Sequence, residues 1–532
     1  MKKRILAKFI ITFICVLLII NICLISIYFH HRPTVIVTDI LISFYILNTS
    51  IGLYILSSRH RQDRSKKSWL FIFLFLPIVS IIFFWIFGSR PFKDKKINDI
   101  ITNRRALFKF EDYEFYHSFQ NMIINNNGLN LIRKIGQYNY QLFRTPIYCD
   151  NQITIIKETN EMYEQTIKLI RKAKKTIYLQ YYIIENGRWL QSLVKELIKK
   201  SNDGIKIYIL YDPIGSLNKF PKKYRQQLIN NGIEIACFKA RADYKFRSTI
   251  NFRSHRKYLI IDGEVAISGG SNIGDSYLNI DPKVGHWVDL NYILTGGIVH
   301  TILLEFIHDW YYYTPFSKKN NFNVVVDSMH PQPYLCQGKD DLINNSIKNK
   351  TITTLLHTGP DQSTSSLNEI LVMAIANAKK SITIFTPYLF PTEDILIGLK
   401  AAANTGIKVK IILPGRVDSW SFIISMNRLS YESLIKSGVQ IYEYSGFLHT
   451  KAILIDDDIS LLGSYNLDNR ALVINYESLL TIYSIQVNHD INEIFNQYLR
   501  NSQLINLEDL DNKFTFNELV QTVFINIFQL LL

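Results

Sequence analysis

The sequence predicts two similar α/β domains preceded by apolar N-terminal helices that cross a membrane. At 532 residues the chain is too long for one ordinary domain. Three long apolar runs lie within its first 90 residues, and the remainder repeats itself as blocks of amphipathic helix and β-rich strand. The formal net charge of +15 predicts an anionic partner, such as nucleic acid, an anionic lipid surface or a phosphate-bearing substrate.

The N-terminal runs have the length that membrane helices need. Residues 9–29 follow a basic N-terminus and can span the hydrocarbon core. The weaker run at 35–56 and the run at 69–87, which has tryptophans near its ends, can do the same. We therefore predict a membrane anchor with two or three transmembrane helices at residues 1–89. Basic residues flank the third run on both sides, so the positive-inside rule leaves its orientation open. A juxtamembrane connector is predicted at residues 90–147.

The internal repeat rests on three short blocks that recur in the same order. They are Ala173–Ile177 with Ala378–Ile382, Gly204–Ile207 with Gly406–Val409, and Asn231–Ile235 with Ser437–Ile441. Helices and strands alternate around these blocks in both copies, which favours parallel sheets flanked by helices. We predict a first domain at residues 148–325 and a second at 326–512, related by a pseudo-twofold axis, and a C-terminal apolar helix at 513–532.

A motif of reactive side chains occurs once in each copy. With identical spacing, the two sets are His255, Lys257, Asp262 and Asn272, and His449, Lys451, Asp456 and Asn466. A histidine and a lysine two residues apart, next to an apolar strand, place their side chains on one face of that strand. The Asp-Gly pair at 262–263 predicts a hairpin turn, and the glycines at 269–270 would let a phosphate approach the backbone.

Two such motifs meeting at a symmetry axis supply what the cleavage of a phosphodiester requires. One imidazole can attack phosphorus, the other can protonate the leaving alkoxide, and the lysines and asparagines can stabilise charge on the phosphoryl oxygens. No metal or other cofactor is then needed. The five cysteines contain no C-x-x-C pair, so a cysteine zinc site is not expected. The alternative of two charged strand ends on a solvated surface does not explain two matches with equal spacing.

At these residues the chain resembles the phospholipase D superfamily, and within it the bacterial cardiolipin synthases. The segments that carry the resemblance include Tyr181–Glu185, Leu210–Ser216, Arg253–Lys257, Gly269–Asp275, His286–Asp289 and Gly463–Arg470. The resemblance implies an α/β fold of two pseudo-twofold-related phospholipase D-type α-β-α domains, preceded by N-terminal transmembrane helices. It also implies a multi-pass protein of the bacterial cytoplasmic membrane whose partners are phosphatidylglycerol and other anionic phospholipids.

The resemblance further implies a two-step transfer. A histidine would take the phosphatidyl group of one phosphatidylglycerol, release glycerol and pass the group to a second phosphatidylglycerol, giving cardiolipin through a phosphohistidine intermediate. His255 is the expected nucleophile and His449 the expected general acid and then base, and the pseudo-symmetry leaves the opposite order open. The phosphate would be held by Lys257, Lys451, Asn272, Ser464 and Asn466.

Carboxylates are expected to support these groups. By resemblance, Asp289 and Glu477 would orient the histidine rings through the ring nitrogen that does not react. Asp262 and Asp456, the acidic members of the two catalytic motifs, are expected to brace the motifs instead of transferring protons.

Three alternatives remain open. Water could replace the lipid alcohol and make the chain a phospholipid hydrolase, because the pocket for the acceptor cannot be read from the sequence. A nuclease would suit the positive charge, but membrane spans fit a nuclease poorly, so nucleic acid is not an expected partner. A non-catalytic scaffold is disfavoured because both motifs are intact.

Overall fold

The computed structural model describes most of the chain after residue 126 and parts of the chain before it. The described residues are 33–56, 66, 69–70, 72–73, 80, 84, 94–107, 126–149, 151–238, 252–280, 286–314, 351–362, 364–416 and 422–510. The chain divides into two compact units, residues 1–90 with 520–532 and residues 91–519.

In the N-terminal unit, helix α1 (Pro33–Leu56) covers the second apolar run. Within it, the Asn48 side chain donates to the carbonyl of Phe73 and accepts a hydrogen bond of 2.8 Å from Ser80. No helix among the described residues is both long enough and apolar enough to cross a bilayer. The first predicted span and the predicted C-terminal helix lie outside the described residues, so the transmembrane helices stay a prediction.

The first domain alternates helices and strands as the sequence predicts. Before it come α2 (Asp94–Leu107), α3 (Asn127–Phe143) and β1 (Ile147–Tyr148). Its elements are β2 (Gln152–Ile156), α4 (Thr159–Lys172), β3 (Thr176–Tyr181), α5 (Arg188–Asn202), β4 (Lys206–Tyr211), α6 (Lys222–Asn230), β5 (Glu234–Cys237), β6 (Tyr258–Ile261), β7 (Val265–Gly269), β8 (Trp287–Val288), β9 (Asn291–Thr295) and α7 (Gly297–Tyr313).

Seven of these described strands form one sheet in the order β2-β9-β7-β6-β3-β4-β5. β3, β4 and β5 are parallel, because the helices between them carry the chain back to the same edge. The other four strands, β6, β7, β9 and β2, each pair antiparallel with their neighbours. The turn between β6 and β7 is too short for the crossover that a parallel pair requires. The prediction of a parallel sheet therefore applies to one half of the sheet only, whereas the predicted hairpin is confirmed.

The second domain repeats this build. Its elements are β10 (Ile352–Thr358), α8 (Ser366–Asn377), β11 (Ser381–Phe385), β12 (Leu389–Phe390), α9 (Glu393–Asn404), β13 (Lys408–Pro414), α10 (Phe422–Arg428), α11 (Tyr431–Ile435), β14 (Gln440–Tyr444), β15 (Phe447–Leu448), β16 (Ala452–Ile455), β17 (Ile459–Gly463), β18 (Leu467–Asp468), α12 (Asn469–Val473), β19 (Glu477–Tyr483), α13 (Ile485–Leu499) and β20 (Ser502–Ile505). Its main sheet runs β1-β10-β19-β17-β16-β11-β13-β14-β20, with β11, β13 and β14 parallel like β3, β4 and β5. The predicted duplication is confirmed.

Part of the stretch predicted as a connector belongs to the second domain. Helix α3 buries Leu131, Ile132 and Ile135 in the same apolar cluster as side chains of β10, β11 and β19, and β1 pairs antiparallel with β10. Gly136 permits this packing, because a Cβ there would lie 2.1 Å from the side chain of Ile147. The first sheet accordingly begins at β2, not at the predicted residue 148, because the apolar face of α3 is buried against the other sheet.

Asp262 and Asp456 lie at the ends of β6 and β16 that are remote from the histidines. Asp262 accepts backbone hydrogen bonds of 2.7–2.9 Å from residues 174–176, and Asp456 accepts the equivalent bonds from residues 379–381. Both have a left-handed backbone, with φ of 55° and 53°. Each carboxylate therefore caps the turn formed by the repeated Ala-Lys-Lys block. Although both belong to the catalytic motifs, their position is structural, because the strand separates them from the histidines.

Replacing Asp456 by alanine is expected to lower the free energy of unfolding by about 1–3 kcal/mol, because three backbone N–H groups lose a carboxylate acceptor. Thermal unfolding of the purified protein measures the change. Asp457→Ala is the matched control, since Asp457 is exposed and pairs with an exposed lysine. A loss of activity by orders of magnitude at unchanged stability would instead assign Asp456 to proton transfer.

Candidate active site

The backbone segments that carry the two histidines each pair with a segment of the other domain. The His255 N–H donates to the Tyr476 carbonyl at 2.9 Å, and the Tyr476 N–H donates to the Arg253 carbonyl at 2.8 Å. In the second domain β15 pairs with β8, and the His449 N–H donates to the Val288 carbonyl at 2.8 Å. Each histidine is thus held against the segment that carries a predicted carboxylate in the opposite domain.

Each histidine ring contacts the carboxylate that this exchange brings to it. His255 Nδ1 lies 3.2 Å from the Glu477 carboxylate and 2.8 Å from the Ser464 carbonyl oxygen. His449 Nδ1 lies 2.7 Å from Asp289 Oδ2. These oxygens are acceptors, which favours a proton on Nδ1 and a lone pair on Nε2 in both rings. Lys451 Nζ also lies 3.0 Å from His449 Nδ1, so in the second domain the carboxylate and the lysine meet at the same ring nitrogen. The histidines and carboxylates singled out in the sequence do come together, and each pair spans the two domains.

The two carboxylates are themselves held in place. Glu477 is fully buried and accepts hydrogen bonds from the Ser464 hydroxyl at 2.5 Å and from the Asn475 amide at 3.2 Å. Asp289 accepts one from the Leu290 N–H at 2.9 Å. The Ser464 hydroxyl also accepts a backbone N–H of β19 at 3.0 Å. Ser464, predicted to hold phosphate, is therefore committed to positioning Glu477.

The glycines that follow each hairpin lie close to other parts of the protein. For Gly269 and Gly270 the sequence predicts instead that they make room for a phosphate. A Cβ on Gly270 would lie 2.0 Å from Asp289 Oδ1, and one on Gly463 would lie 2.1 Å from the Ser478 carbonyl oxygen. Gly269 also has a φ of +150°, which residues with a side chain rarely adopt. The glycines are needed because the segments that carry the carboxylates pass so close.

The two lysine side chains fold back onto the histidines of their own motifs. Lys257 Nζ donates to the His255 carbonyl and Lys451 Nζ to the His449 carbonyl, both at 2.5 Å. Burial lowers the pKa of Lys257 to about 7 and that of Lys451 to about 8, against the attraction of the two carboxylates. Both ammonium groups therefore titrate near neutral pH, and a bound anion would keep them charged.

Both histidine rings are neutral at physiological pH. Burial lowers the pKa of His255, and burial followed by the charge of Lys451 lowers the pKa of His449 to about 3. Each lysine also acts on the pKa of the histidine in the other domain, so the four side chains form one electrostatic site. A phosphodiester anion bound among them would raise all four pKa values and favour the imidazolium that a general acid needs.

The ratio kcat/KM for an anionic phosphodiester is expected to fall as pH rises through about 7 to 8. Anion binding favours charged lysine, and the pKa values of Lys257 and Lys451 in the free protein, about 7 and about 8, set this window. Below it both ammonium groups are charged and binding is strongest. A pH profile of Lys257→Arg, whose side chain stays charged, should lack the step near pH 7. If the Lys257→Arg profile keeps the same step as the wild type, the titration of Lys257 is not the cause of the step.

The two motif asparagines are both buried but differ in their contacts. Asn272 Oδ1 accepts the Ile183 N–H at 3.0 Å, and its Nδ2 donates to the Tyr277 hydroxyl at 2.8 Å. Asn466 Oδ1 has no hydrogen-bond partner within the described part of the chain. The Asn272 amide nitrogen keeps a second N–H for a phosphoryl oxygen, so its predicted role in phosphate binding is compatible with this geometry.

The sequence assigns no role to three residues that the structure places beside His255. The Tyr182 ring meets the His255 ring edge-on, with 5.0 Å between centroids. Arg253 and Asp212 form a buried ion pair at 3.2 Å. Asp212 also accepts the Ser254 N–H at 3.1 Å, which fixes the segment that leads into His255. All three lie in segments that carry the family resemblance, which is the one signal that singles them out.

Aromatic rings surround His449, the other histidine of the site. The ring centroids of Trp287, Phe447 and Tyr277 lie 4.9, 5.7 and 6.4 Å from that of His449. Trp287 also packs edge-on against Phe447 at 4.4 Å and against Tyr277 at 4.5 Å. The sequence does not reveal this aromatic wall, because its three rings come from both domains.

This arrangement can transfer a phosphorus-linked group between two oxygen atoms. Two Nε2 atoms with lone pairs, in rings fixed by carboxylates, can act as nucleophile and as acid–base catalyst. Two lysines and an asparagine amide can stabilise the charge that grows on phosphorus-bound oxygens. Both domains are required, since each histidine takes its carboxylate from the other.

Comparisons with known proteins point to the same chemistry. The sequence model of a family described as cardiolipin synthase, PLD-like domain, matches residues 166–310 and 371–499, one match in each domain. A cardiolipin synthase of Halalkalibacterium halodurans is 31% identical over 455 residues, which cover 84% of each chain. The major cardiolipin synthase of Bacillus subtilis is 29% identical over 494 residues, 91% of this chain and 96% of that protein.

A solved structure shares the fold. The phosphatidylserine synthase of Haemophilus influenzae superposes with a TM-score of 0.55 at 18% sequence identity, covering 75% of this chain and 96% of that chain. At this identity the likeness concerns the fold alone. The family match in both domains, the extent of the sequence identity and the paired histidine motifs together show that the chain belongs to the cardiolipin synthase family of the phospholipase D superfamily.

Proposed function

We propose that the chain is a cardiolipin synthase, a phosphatidyltransferase that moves the phosphatidyl group of one phosphatidylglycerol onto a second and releases glycerol. The observation that carries this proposal is the pair of histidines, each with Nδ1 held by a carboxylate of the opposite domain. The relatives named cardiolipin synthases match most of the chain, and they direct the proposal to phospholipids.

In the first step His255 is the nucleophile. Its Nε2 lone pair attacks phosphorus, the P–O bond to the headgroup glycerol breaks, and the imidazolium of His449 gives its Nε2 proton to the departing alkoxide. The products are phosphatidyl-histidine and free glycerol. Lys257 and Lys451 stabilise the phosphoryl oxygens as their charge grows, and Glu477 balances the positive charge on the substituted ring.

In the second step the glycerol hydroxyl of another phosphatidylglycerol attacks the same phosphorus. Neutral His449 accepts the hydroxyl proton, the P–N bond breaks and its electron pair returns to His255 Nε2. Cardiolipin leaves, and the second phosphatidylglycerol, joined through its headgroup oxygen, has taken the place of the released glycerol on the phosphorus. Two acceptors at His255 Nδ1 favour positive charge on that ring. The low pKa of His449 makes its imidazolium a strong proton donor.

The enzyme is also proposed to be a multi-pass protein of the bacterial cytoplasmic membrane. Three apolar runs before residue 90 support this location, as does a substrate that resides in a bilayer. Membrane fractions washed with high salt and then with alkaline carbonate test it. The chain should stay in the pellet through both washes, and its release by either one would contradict an integral anchor.

Detergent-purified protein incubated with phosphatidylglycerol and EDTA tests the proposed reaction. Lipids and released glycerol are measured by mass spectrometry, with His255→Ala as the control for contaminating enzymes. We expect cardiolipin and glycerol in equal amounts from the wild type and neither from the variant. Phosphatidic acid without cardiolipin would identify a hydrolase, and an unchanged substrate would refute phosphatidyl transfer from this lipid.

A further inference from the structure

The pseudo-twofold axis relates the two histidines but not the side chains around them. Arg253 lies two residues before His255, and Phe447 lies two residues before His449. Both belong to the segments that pair with the opposite domain. One side of the site therefore carries a guanidinium where the other side carries a ring of the aromatic wall. Such a difference suits a reaction in which the two sides receive different parts of the substrates.

Only one of the three guanidinium nitrogens of Arg253 has a hydrogen-bond partner among the described residues. Nη1 donates to Asp212 Oδ1 at 3.2 Å, while Nε and Nη2 are buried without a hydrogen-bond partner among the described residues. Nε and Nη2 form the edge that binds two oxygens of a phosphate side by side. Buried donors without partners are rare in native proteins and call for an explanation such as a bound ion or ligand.

A second arginine and a tyrosine lie close to Arg253. Arg470, in α12, is half-buried and lies within electrostatic range of Arg253, Asp212 and Tyr182. The Tyr182 ring connects this group to the catalytic centre, since it contacts the His255 ring at 5.0 Å. Tyr182 therefore lies within electrostatic range of Arg470 and in contact with the nucleophilic histidine.

The carboxylates near Arg253 and Arg470 also accept hydrogen bonds from backbone N–H groups. Asp212 is shared between Arg253 and the backbone N–H groups of Ile214, Gly215 and Ser254. Asp468, the other carboxylate close to Arg470, caps α12 by accepting a backbone N–H at 2.7 Å. Neither carboxylate accepts a hydrogen bond from Nε or Nη2 of Arg253, so that edge of the guanidinium remains suited to an anion.

We propose that Arg253 and Arg470 form a second phosphate site, which holds the phosphodiester of the acceptor lipid while its glycerol hydroxyl attacks the phosphohistidine. The inference rests on the proposed function and names the part of the acceptor that is recognised. Phosphatidylglycerol carries its own phosphodiester one glycerol away from the hydroxyl that reacts, so this phosphate must lie near His255 during the second step. Water and simple alcohols lack it, so the site would favour transfer to a lipid.

Two reactions of the same phosphatidyl-enzyme distinguish binding of the acceptor's phosphate from a general contribution to catalysis. Cardiolipin formation uses an acceptor with a phosphate, whereas exchange of isotope-labelled glycerol into phosphatidylglycerol uses an acceptor without one. Arg253→Lys keeps the charge but loses the two-point edge, and Arg470→Gln removes the charge. In each variant the ratio of cardiolipin formation to glycerol exchange is expected to fall about ten- to a hundredfold, the range for losing a charged hydrogen bond.

Arg188→Lys is the matched control, because Arg188 is an exposed arginine at the start of α5, and its ratio should equal that of the wild type. If both reactions decline in equal proportion in the two test variants, Arg253 merely positions His255 and the second phosphate site is refuted. Arg470→Gln decides the matter if Arg253→Lys does not fold. A wild type that exchanges glycerol but makes no cardiolipin would refute the proposed function instead.

Discussion

His255→Ala is expected to abolish cardiolipin formation, with a loss of at least about 10⁴-fold in kcat, because the covalent intermediate can no longer form. His449→Ala should lose a comparable factor with phosphatidylglycerol, since glycerol is a poor leaving group without a proton. Product formation followed by mass spectrometry over hours measures both losses. His489→Ala is the matched control, because His489 is an exposed histidine on α13, and it should retain wild-type activity.

A donor with a better leaving group distinguishes the roles of the two histidines. When p-nitrophenol replaces the headgroup glycerol, its departure needs no proton. His449→Ala should then still release a burst of p-nitrophenol equal to the enzyme present, whereas His255→Ala should release none. A burst from His255→Ala and none from His449→Ala would reverse the assignment.

Glu477→Gln is expected to lower kcat by about 10²- to 10⁴-fold, as when the buried carboxylate of a catalytic triad is replaced by its amide. An amide cannot balance the positive charge on the substituted His255 ring. It can also turn an N–H toward Nδ1, which favours the tautomer whose Nε2 carries the proton and cannot attack. Single-turnover kinetics with saturating lipid measure the effect. Glu443→Gln, at a carboxylate paired with Arg428 at 2.8 Å, is the control, and a loss at Glu477 of less than about threefold would contradict this role.

Asp289→Asn should behave differently, because Asp289 contacts His449 at 2.7 Å. With phosphatidylglycerol the Asp289→Asn variant should lose most of its activity. The p-nitrophenol donor should restore most of the burst, since the departure of p-nitrophenol does not depend on His449. The same donor should not rescue Glu477→Gln. Equal rescue of both variants would show that the carboxylates act on the site as a whole and not on separate histidines.

Local patterns in the sequence predict the parts of this fold that depend on neighbouring residues. The repeated Ala-Lys-Lys blocks mark the turns before β3 and β11, and the Asp-Gly pair marks the hairpin between β6 and β7. Equal spacing in the two copies identifies the histidines and lysines, because the same strand and turn place them in both domains.

The contacts between the domains could not be derived in the same way. His255 and Glu477 are 222 residues apart, and no local pattern states which carboxylate reaches which histidine. Similarly, the apolar face of a helix such as α3 predicts that this face is buried, but it does not predict which sheet the helix packs against. Arg253, Asp212 and Tyr182 lack a spacing pattern of their own, so only the folded structure brings them to the site.

Trapping the covalent intermediate is the most direct test of a two-histidine transfer centre. The enzyme is mixed with phosphatidylglycerol, quenched within one turnover in alkaline denaturant, in which the P–N bond survives, and digested for peptide mass spectrometry. We expect a phosphatidyl mass on the peptide that contains His255, its disappearance when excess glycerol is added before the quench, and no adduct in His255→Ala. Cardiolipin formed at the normal rate with no adduct on either histidine would contradict the covalent mechanism.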